Sequence, residues 1–335
     1  MTHQVDTPTI PVIDISGYLK NDPQVTNSIA RQIDDACRSI GFLVITGHQV
    51  DRQLINDTRA VTMNFFGRTI DEKMAQKMPP DRYRGYTSPG AESLAASYGQ
   101  KSPPDLKESF SIGPIEIPDD DYHSPASAGA FFASNIWPNG LPEMERLWSE
   151  YYGEMERVST QLMRLFALAL GLDEHFFDDK VDRHITNMSA IHYPPLKSEP
   201  EPGQMRGGAH TDFGSLTIVQ RDAAPGGLQV LVEDQWVNAP YVEDSFIINI
   251  GDLMAEWTND KWVSTIHQVG LPERIEDAMS DRLSLIFFHQ PNYDAKIEVL
   301  GNCTTSDNPA RYRSTTSGAH IAAKIAAMRS PELGQ

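Results

Sequence analysis

The sequence predicts a mainly β fold with a helical surround. Seven short β-rich runs separated by turn residues crowd between residues 190 and 288, the spacing of a sandwich or barrel. Helical periods occupy the first half of the chain instead. No Ser/Gly-rich linker divides the halves, so residues 1–335 read as one structural unit with helices packed around strands, rather than as two domains.

The first strand is expected at 10–15, IPVIDI, a short alternating run. A helix follows over 27–40, where Ile29, Ile33, Ala36, Cys37 and Ile40 form one apolar stripe that stops at Gly41. Residues 42–45 are a continuous apolar run, hence a strand buried on both faces, with His48 in its exit turn. A second helix is expected at 53–66. Residues 78–140 are rich in Pro, Gly and Ser and read as long loops with a strand near 107–112. The longest helix should span 141–172, from Met144 through Leu147, Tyr151, Met155, Val158, Leu162 and Leu165 to Ala169, ending at Gly171. Strands are then expected at 190–193, 216–220, 228–232, 235–238, 245–250, 265–269 and 283–288, and an Ala-rich helix at 317–328.

Composition narrows the function. Hydrophobic residues make up 40% and charged residues 22%, the balance of an ordinary packed domain. A formal charge of -18 with no Lys/Arg cluster argues against a nucleic-acid partner. Two cysteines, Cys37 and Cys303, exclude a disulfide framework or a Cys-rich metal site and suit a reducing compartment. The N-terminus lacks a basic then apolar leader, and no apolar stretch reaches membrane-spanning length. A cytoplasmic protein with no membrane partner is the expectation.

Chemistry concentrates in the second half. His210 and Asp212 lie two apart, and on an extended strand such residues share a side, so one strand could offer two metal ligands. His267 would complete two histidines and a carboxylate, the facial triad of non-haem iron(II) oxygenases, which leaves positions open for substrate, cosubstrate and oxygen. His-x-Asp also arises by chance, so this pattern does not assign a metal by itself. Arg282 and Ser284, again two apart, could bind a carboxylate together; alternatively Arg282 pairs with Glu276, Asp277 or Asp281. Gly207, Gly208, Gly226 and Gly227 are expected at tight turns or close approaches, Gly251-Asp252 at a turn, and Trp257 and Trp262 in packing.

These residues stand in longer blocks: HTDFGSLTIV (210–219), GGLQV (226–230), INIGDLMAEWTNDKWVSTIHQV (248–269) and RLSLIFF (282–288), preceded by IPVIDIS (10–16), IGFLVITGH (40–48), RGYTSPGAE (84–92) and DLKESFSIG (105–113). In this order they resemble the isopenicillin N synthase-like family of iron(II)/2-oxoglutarate-dependent dioxygenases over most of the chain. The resemblance implies a double-stranded β-helix, or jelly-roll, core over 185–295, an N-terminal dioxygenase region over 8–125 and a C-terminal helix over 310–330. It also implies that His210, Asp212 and His267 hold Fe(II), and that Arg282 and Ser284 grip the distal carboxylate of 2-oxoglutarate. Tyr193 occupies the tyrosine place of the family's Asn-x-Tyr-Pro strand, where the hydroxyl reaches that carboxylate, although Ile191 stands where Asn is usual and Tyr193 could equally be cavity wall or core.

The implied activity is O2-dependent oxidation of a small-molecule substrate with release of succinate and CO2, by hydroxylation, desaturation, cyclisation or epoxidation, with no catalytic residue beyond the metal centre. Tyr86, Phe110 and Phe288 are the expected substrate-facing aromatics. Gln268 replaces an Arg common after the distal histidine, and a longer hairpin is expected within 271–281. Two other readings stay open: a same-fold iron oxidase that does not use 2-oxoglutarate, and a non-catalytic jelly-roll protein that binds a small carboxylate.

Overall fold

The computed structural model describes residues 9–80, 82–91, 93–94, 103–196, 199–224, 226–272 and 281–329. Its elements follow the chain as β1 Val12–Asp14, α1 Ser16–Leu19, α2 Pro23–Ser39, β2 Phe42–Thr46, α3 Arg52–Phe66, α4 Ile70–Met74, β3 Gly85–Thr87, β4 Glu108–Ile112, α5 Pro125–Ala128, α6 Pro142–Ala169 and α7 Asp178–Val181. Then come β5 Asn187–Tyr193, β6 Gly207–His210, β7 Leu216–Arg221, β8 Gly227–Val232, β9 Gln235–Asn238, β10 Phe246–Ile250, α8 Asp252–Trp257, β11 His267–Gly270, β12 Arg282–His289, β13 Lys296–Ile297, β14 Thr315–Thr316 and α9 Ser317–Arg329.

Helix starts are chemically marked. The Asp22 side chain accepts from the backbone N–H groups of Gln24 and Val25 ahead of α2, whose first residue is Pro23; Asp51 accepts from Gln53 at α3. Gly41 and Gly171 take positive φ just beyond α2 and α6, where a side chain would be strained. Helix α2 starts at Pro23, four residues before the expected start at 27, because a capped first turn needs no buried side chain.

Two sheets face each other. The larger has the order β1-β2-β10-β7-β12-β5-β4-β3, the smaller β6-β11-β8-β9. Strands of both sheets line one cavity, the arrangement expected of a jelly-roll core, and helices surround it. The N-terminal strands are part of it: β2 pairs antiparallel with β10, Phe42 opposite Asn249.

Strand alternation sorts each residue of β12. Leu283, Leu285 and Phe287 enter the core beneath α3 and α6, with Phe65, Phe110, Trp148 and Tyr152. Arg282, Ser284, Ile286 and Phe288 face the space between the sheets. Burying each large apolar side chain of this core contributes roughly 1.5–3 kcal/mol before entropic costs. A smaller cluster of Phe42, Val44, Leu228, Val230 and Ile247 joins the sheets at one end.

Two expectations need correction. Gly251-Asp252 is not merely a turn: Gly251 precedes α8, a helix too short to show a period in sequence. Asp212 is not on a strand, because β6 ends at His210. Beyond it, the carbonyls of Asp212 and Phe213 accept from the N–H groups of Asp252 and Leu253 at 2.8 and 3.2 Å. The segment leaves the sheet to satisfy the open first turn of α8. The hairpin expected within 271–281 falls mostly outside the described residues, as do Glu276 and Asp277.

Candidate metal and cosubstrate site

The space between the sheets is a cavity of about 770 Å³. His210, Asp212, Thr217, Arg282, Ser284, Tyr193 and Phe288 line it, and Ile321, Ala322, Ile325 and Ala326 of α9 cover one side. His210 and His267 are separated by most of the core in sequence, yet sit opposite each other where β6 pairs with β11. Candidate ligand atoms of His210, Asp212 and His267 lie within 4.8 Å of one another.

The surroundings of the triad suit a metal. Nδ1 of His210 is 2.8 Å from the Gly208 carbonyl and Nδ1 of His267 is 3.1 Å from that of Thr265. A carbonyl can only accept, so each ring carries its proton on Nδ1 and presents the Nε2 lone pair inward. Asp212 Oδ2 accepts from Thr217 Oγ1 at 2.6 Å and Asn249 Nδ2 at 2.8 Å. Its Oδ1 lies 3.8 Å from His210 Nε2. Two imidazoles and a carboxylate fit a first-row ion such as Fe(II), whose bonds of about 2 Å reach all three after small adjustments.

Electrostatics agree with that fit. Burial raises the Asp212 carboxyl, but the His267 and His210 rings and the hydrogen bonds from Thr217 and Asn249 outweigh it and hold it below the usual carboxylate range. Burial, helped by His267, depresses His210 to about 4, which keeps the ring neutral and able to donate electrons.

A second group occupies the opposite end of β12. Arg282 is 2% exposed, and its Nη1 donates to the carbonyls of Ala224 and Gly226 at 2.7 and 3.0 Å. The alternative partner Asp281 is engaged by His192 Nε2 at 3.0 Å instead. Asp222 approaches Arg282 only to 3.8 Å and is bound at 2.8 Å by Arg59. Arg282 Nε has no partner among the described residues. Ser284 lies two residues on, and Tyr193 is directly opposite Arg282 across the β5–β12 ladder. A side chain at Gly227 would place Cβ 2.9 Å from the Arg282 guanidinium, so this glycine allows a close approach. The arrangement is a cationic, hydrogen-bonding pocket end that suits the carboxylate of a diacid.

Tyr86 and Phe110, expected as cavity walls, are core residues. Phe110 packs edge-on against Phe65 and Trp148, and Tyr86 bonds to buried Glu108. Alternation on β4 gives the cavity Ser109 and Ser111 and sends Phe110 to the helices. Phe288 does line the cavity. Residues that the sequence reading passed over include Thr217, Asn249, Arg84, Asn187 and Gln290. Thr217, Asn249 and Arg84 stood within quoted blocks, but nothing in their spacing distinguished them.

Comparison with known proteins fits this geometry. Residues 10–140 match the family model described as non-haem dioxygenase in morphine synthesis N-terminal, and residues 185–291 match the 2OG-Fe(II) oxygenase superfamily. The chain is 31% identical to validamycin A dioxygenase of Streptomyces hygroscopicus subsp. limoneus over 300 residues, 88% of this chain and 80% of the relative. It is 30% identical to a homoarginine-6-hydroxylase of Oryza sativa subsp. japonica over 340 residues, 96% and 97% of the two chains. Among solved structures, T7H of Neurospora crassa in complex with alpha-KG and thymine superposes with a TM-score of 0.83 at 29% identity, covering 95% of this chain and 96% of that one. The chain belongs to the 2OG-Fe(II) oxygenase superfamily, as an enzyme that uses Fe(II), 2-oxoglutarate and O2.

Proposed function

We propose that His210, Asp212 and His267 hold the iron, that Arg282, Ser284 and Tyr193 hold the distal carboxylate of 2-oxoglutarate, and that the remaining cavity takes a small organic metabolite against Phe288 and α9. The observation that carries the reading is one cavity-facing surface: donor atoms within 4.8 Å at one place and, at the other, a buried guanidinium whose Nε is unpaired among the described residues. When bound, iron and 2-oxoglutarate supply the oxygen-activating chemistry, with succinate and CO2 as coproducts.

The protein's part is positional. Gly208 and Thr265 carbonyls fix the imidazole tautomers, Thr217 and Asn249 fix the carboxylate, and Arg282 with Ser284 sets the reach of the diacid. The walls Ile286, Phe288, Ile321 and Ile325 exclude water and seat the carbon to be oxidised. Relatives named for validamycin A, homoarginine and, in Petromyces alliaceus, proline support a small, polar-headed metabolite of specialised metabolism.

We further propose that the chain is one structural unit and works in the cytoplasm. The β2–β10 pairing supports the first reading, and two buried, unpaired cysteines support the second. Among the described residues, no helix is long and apolar enough to cross a membrane.

The test is succinate release by the iron(II)-loaded protein across a metabolite panel. Release that depends on both added 2-oxoglutarate and one panel member is expected. Oxygen uptake without any 2-oxoglutarate requirement would favour the oxidase alternative.

A further inference from the structure

Arg84 is the second buried guanidinium of this cavity, and its environment differs from that of Arg282. It is 3% exposed and lines the cavity beside Asn187 and Phe131. Its Nη1 donates to the Tyr83 carbonyl at 2.8 Å and Asn187 Oδ1 at 3.2 Å, and its Nη2 to the Phe131 carbonyl at 2.8 Å. Nε finds no partner among the described residues. Among the described residues no carboxylate pairs with it, although the chain as a whole is strongly acidic. Burial lowers its proton affinity to about 10, still far above neutrality, so the charge persists.

A buried charge held only by neutral dipoles is costly unless an anion arrives. Position says which anion. Asn187 opens β5 and Tyr193, opposite Arg282, closes it; six residues of strand put these ends roughly 20 Å apart. Arg84 is therefore remote from the cosubstrate end. Across the sheet, Asn187 faces Phe288 and Phe288 faces Thr217, the residue that grips Asp212. Two strand spacings separate Asn187 from Thr217, roughly 10 Å. That span suits one small molecule reaching from Arg84 to the metal centre.

The intervening wall is mixed. Asn187 Nδ2 donates to Ser189 Oγ at 3.0 Å, Ser189 Oγ meets Ser111 Oγ at 2.8 Å, and buried Gln290 presents an Oε1 without a partner among the described residues. Phe288, Ile185 and Ile325 supply apolar surface.

We infer that Arg84, steadied by Asn187, is the docking point for a carboxylate of the primary substrate, so that this enzyme oxidises an organic acid at a carbon distant from its carboxyl group. The inference rests on the cavity being the oxygenase site proposed above. A structural clamp on the Phe131 loop is the competing role, and it makes no demand on ligand charge.

The test uses the full chain loaded anaerobically with iron(II) and saturating 2-oxoglutarate, which keeps other acids off Arg282. Phenylacetate is titrated against phenylacetamide, and cyclohexanecarboxylate against cyclohexanecarboxamide. Binding is read from melting temperature and from the metal-to-ligand absorption band. The acids should bind at least about tenfold tighter than their amides, as one charge-assisted contact predicts. Arg84→Gln should reduce that ratio to about one. So should Asn187→Asp, which keeps the guanidinium and gives it an internal anion; this variant decides alone if Arg84→Gln does not fold.

Equal affinity of acid and amide in the wild type, including no binding by either, overturns the inference, as does a ratio that survives Asn187→Asp. Failure of the oxygenase reading appears separately, as absence of the absorption band. The acid preference is then read by melting temperature in Arg282→Ala, where the cosubstrate end no longer competes.

Discussion

Thr217 donates its hydroxyl to Oδ2 of Asp212 at 2.6 Å, and Asn249 donates to the same oxygen. The pair fixes the carboxylate so that Oδ1 lies 3.8 Å from His210 Nε2 and Oδ2 lies 3.9 Å from His267 Nε2. Thr217→Val keeps shape and removes the donor, so iron(II) affinity should fall about 10- to 100-fold. Thr217→Ser should retain most of it. Anaerobic iron(II) titration separates these variants, and equal affinity in Thr217→Val would sink the orienting role.

Arg282 offers a planar fork to the cosubstrate, whereas lysine offers a point charge. Arg282→Lys should raise KM for 2-oxoglutarate about tenfold or more, and Arg282→Ala further, while the melting temperature with iron alone changes little in the lysine variant. Succinate release against 2-oxoglutarate concentration measures this. An unchanged KM in both variants would return Arg282 to a purely structural role.

Glu108 is buried on the helical side of β4, where Lys73 Nζ and His192 Nδ1 contact it at 2.7 and 2.8 Å and Tyr86 also donates. Glu108→Gln strands the buried Lys73 ammonium. The expected loss is about 3–5 kcal/mol in urea unfolding, with residual activity per folded molecule preserved, because the network faces away from the cavity.

Acid should destabilise the fold before carboxylates titrate. Burial, reinforced by His184, keeps the His289 pKa far below the ordinary imidazole value, and burial also lowers His48 against the opposing pull of Asp244. In the unfolded chain both take up a proton near pH 6.5, while the folded chain does not. The unfolded state binds more protons, so stability falls as pH drops below about 6.5. Urea midpoints between about pH 7.5 and pH 5.5 should show this. His289→Gln should flatten the slope by up to about one proton.

Much of the fold was legible because period and punctuation are local properties. The α6 stripe and the alternation of β12 each follow from which side chains must leave water, and they locate the elements to within a few residues. The i, i+2 spacing of Arg282 and Ser284 likewise put both on one face of one strand. The same rule misjudged His210 and Asp212, since Asp212 is held by the first turn of α8 and not by strand geometry.

The sequence by itself determined which residue types could bind iron and a diacid, and which residues share a strand face. Tertiary structure alone decided which face is the cavity. Alternation cannot distinguish a helix-covered face from a hollow one, so Tyr86 and Phe110 went to the core while Ser109 and Ser111 met the cavity. It also decided that Thr217 and Asn249 converge on Asp212, and that Arg84 is buried with no carboxylate paired to it among the described residues. Those facts depend on strand order and long-range register, where residues far apart in the chain come within hydrogen-bond reach.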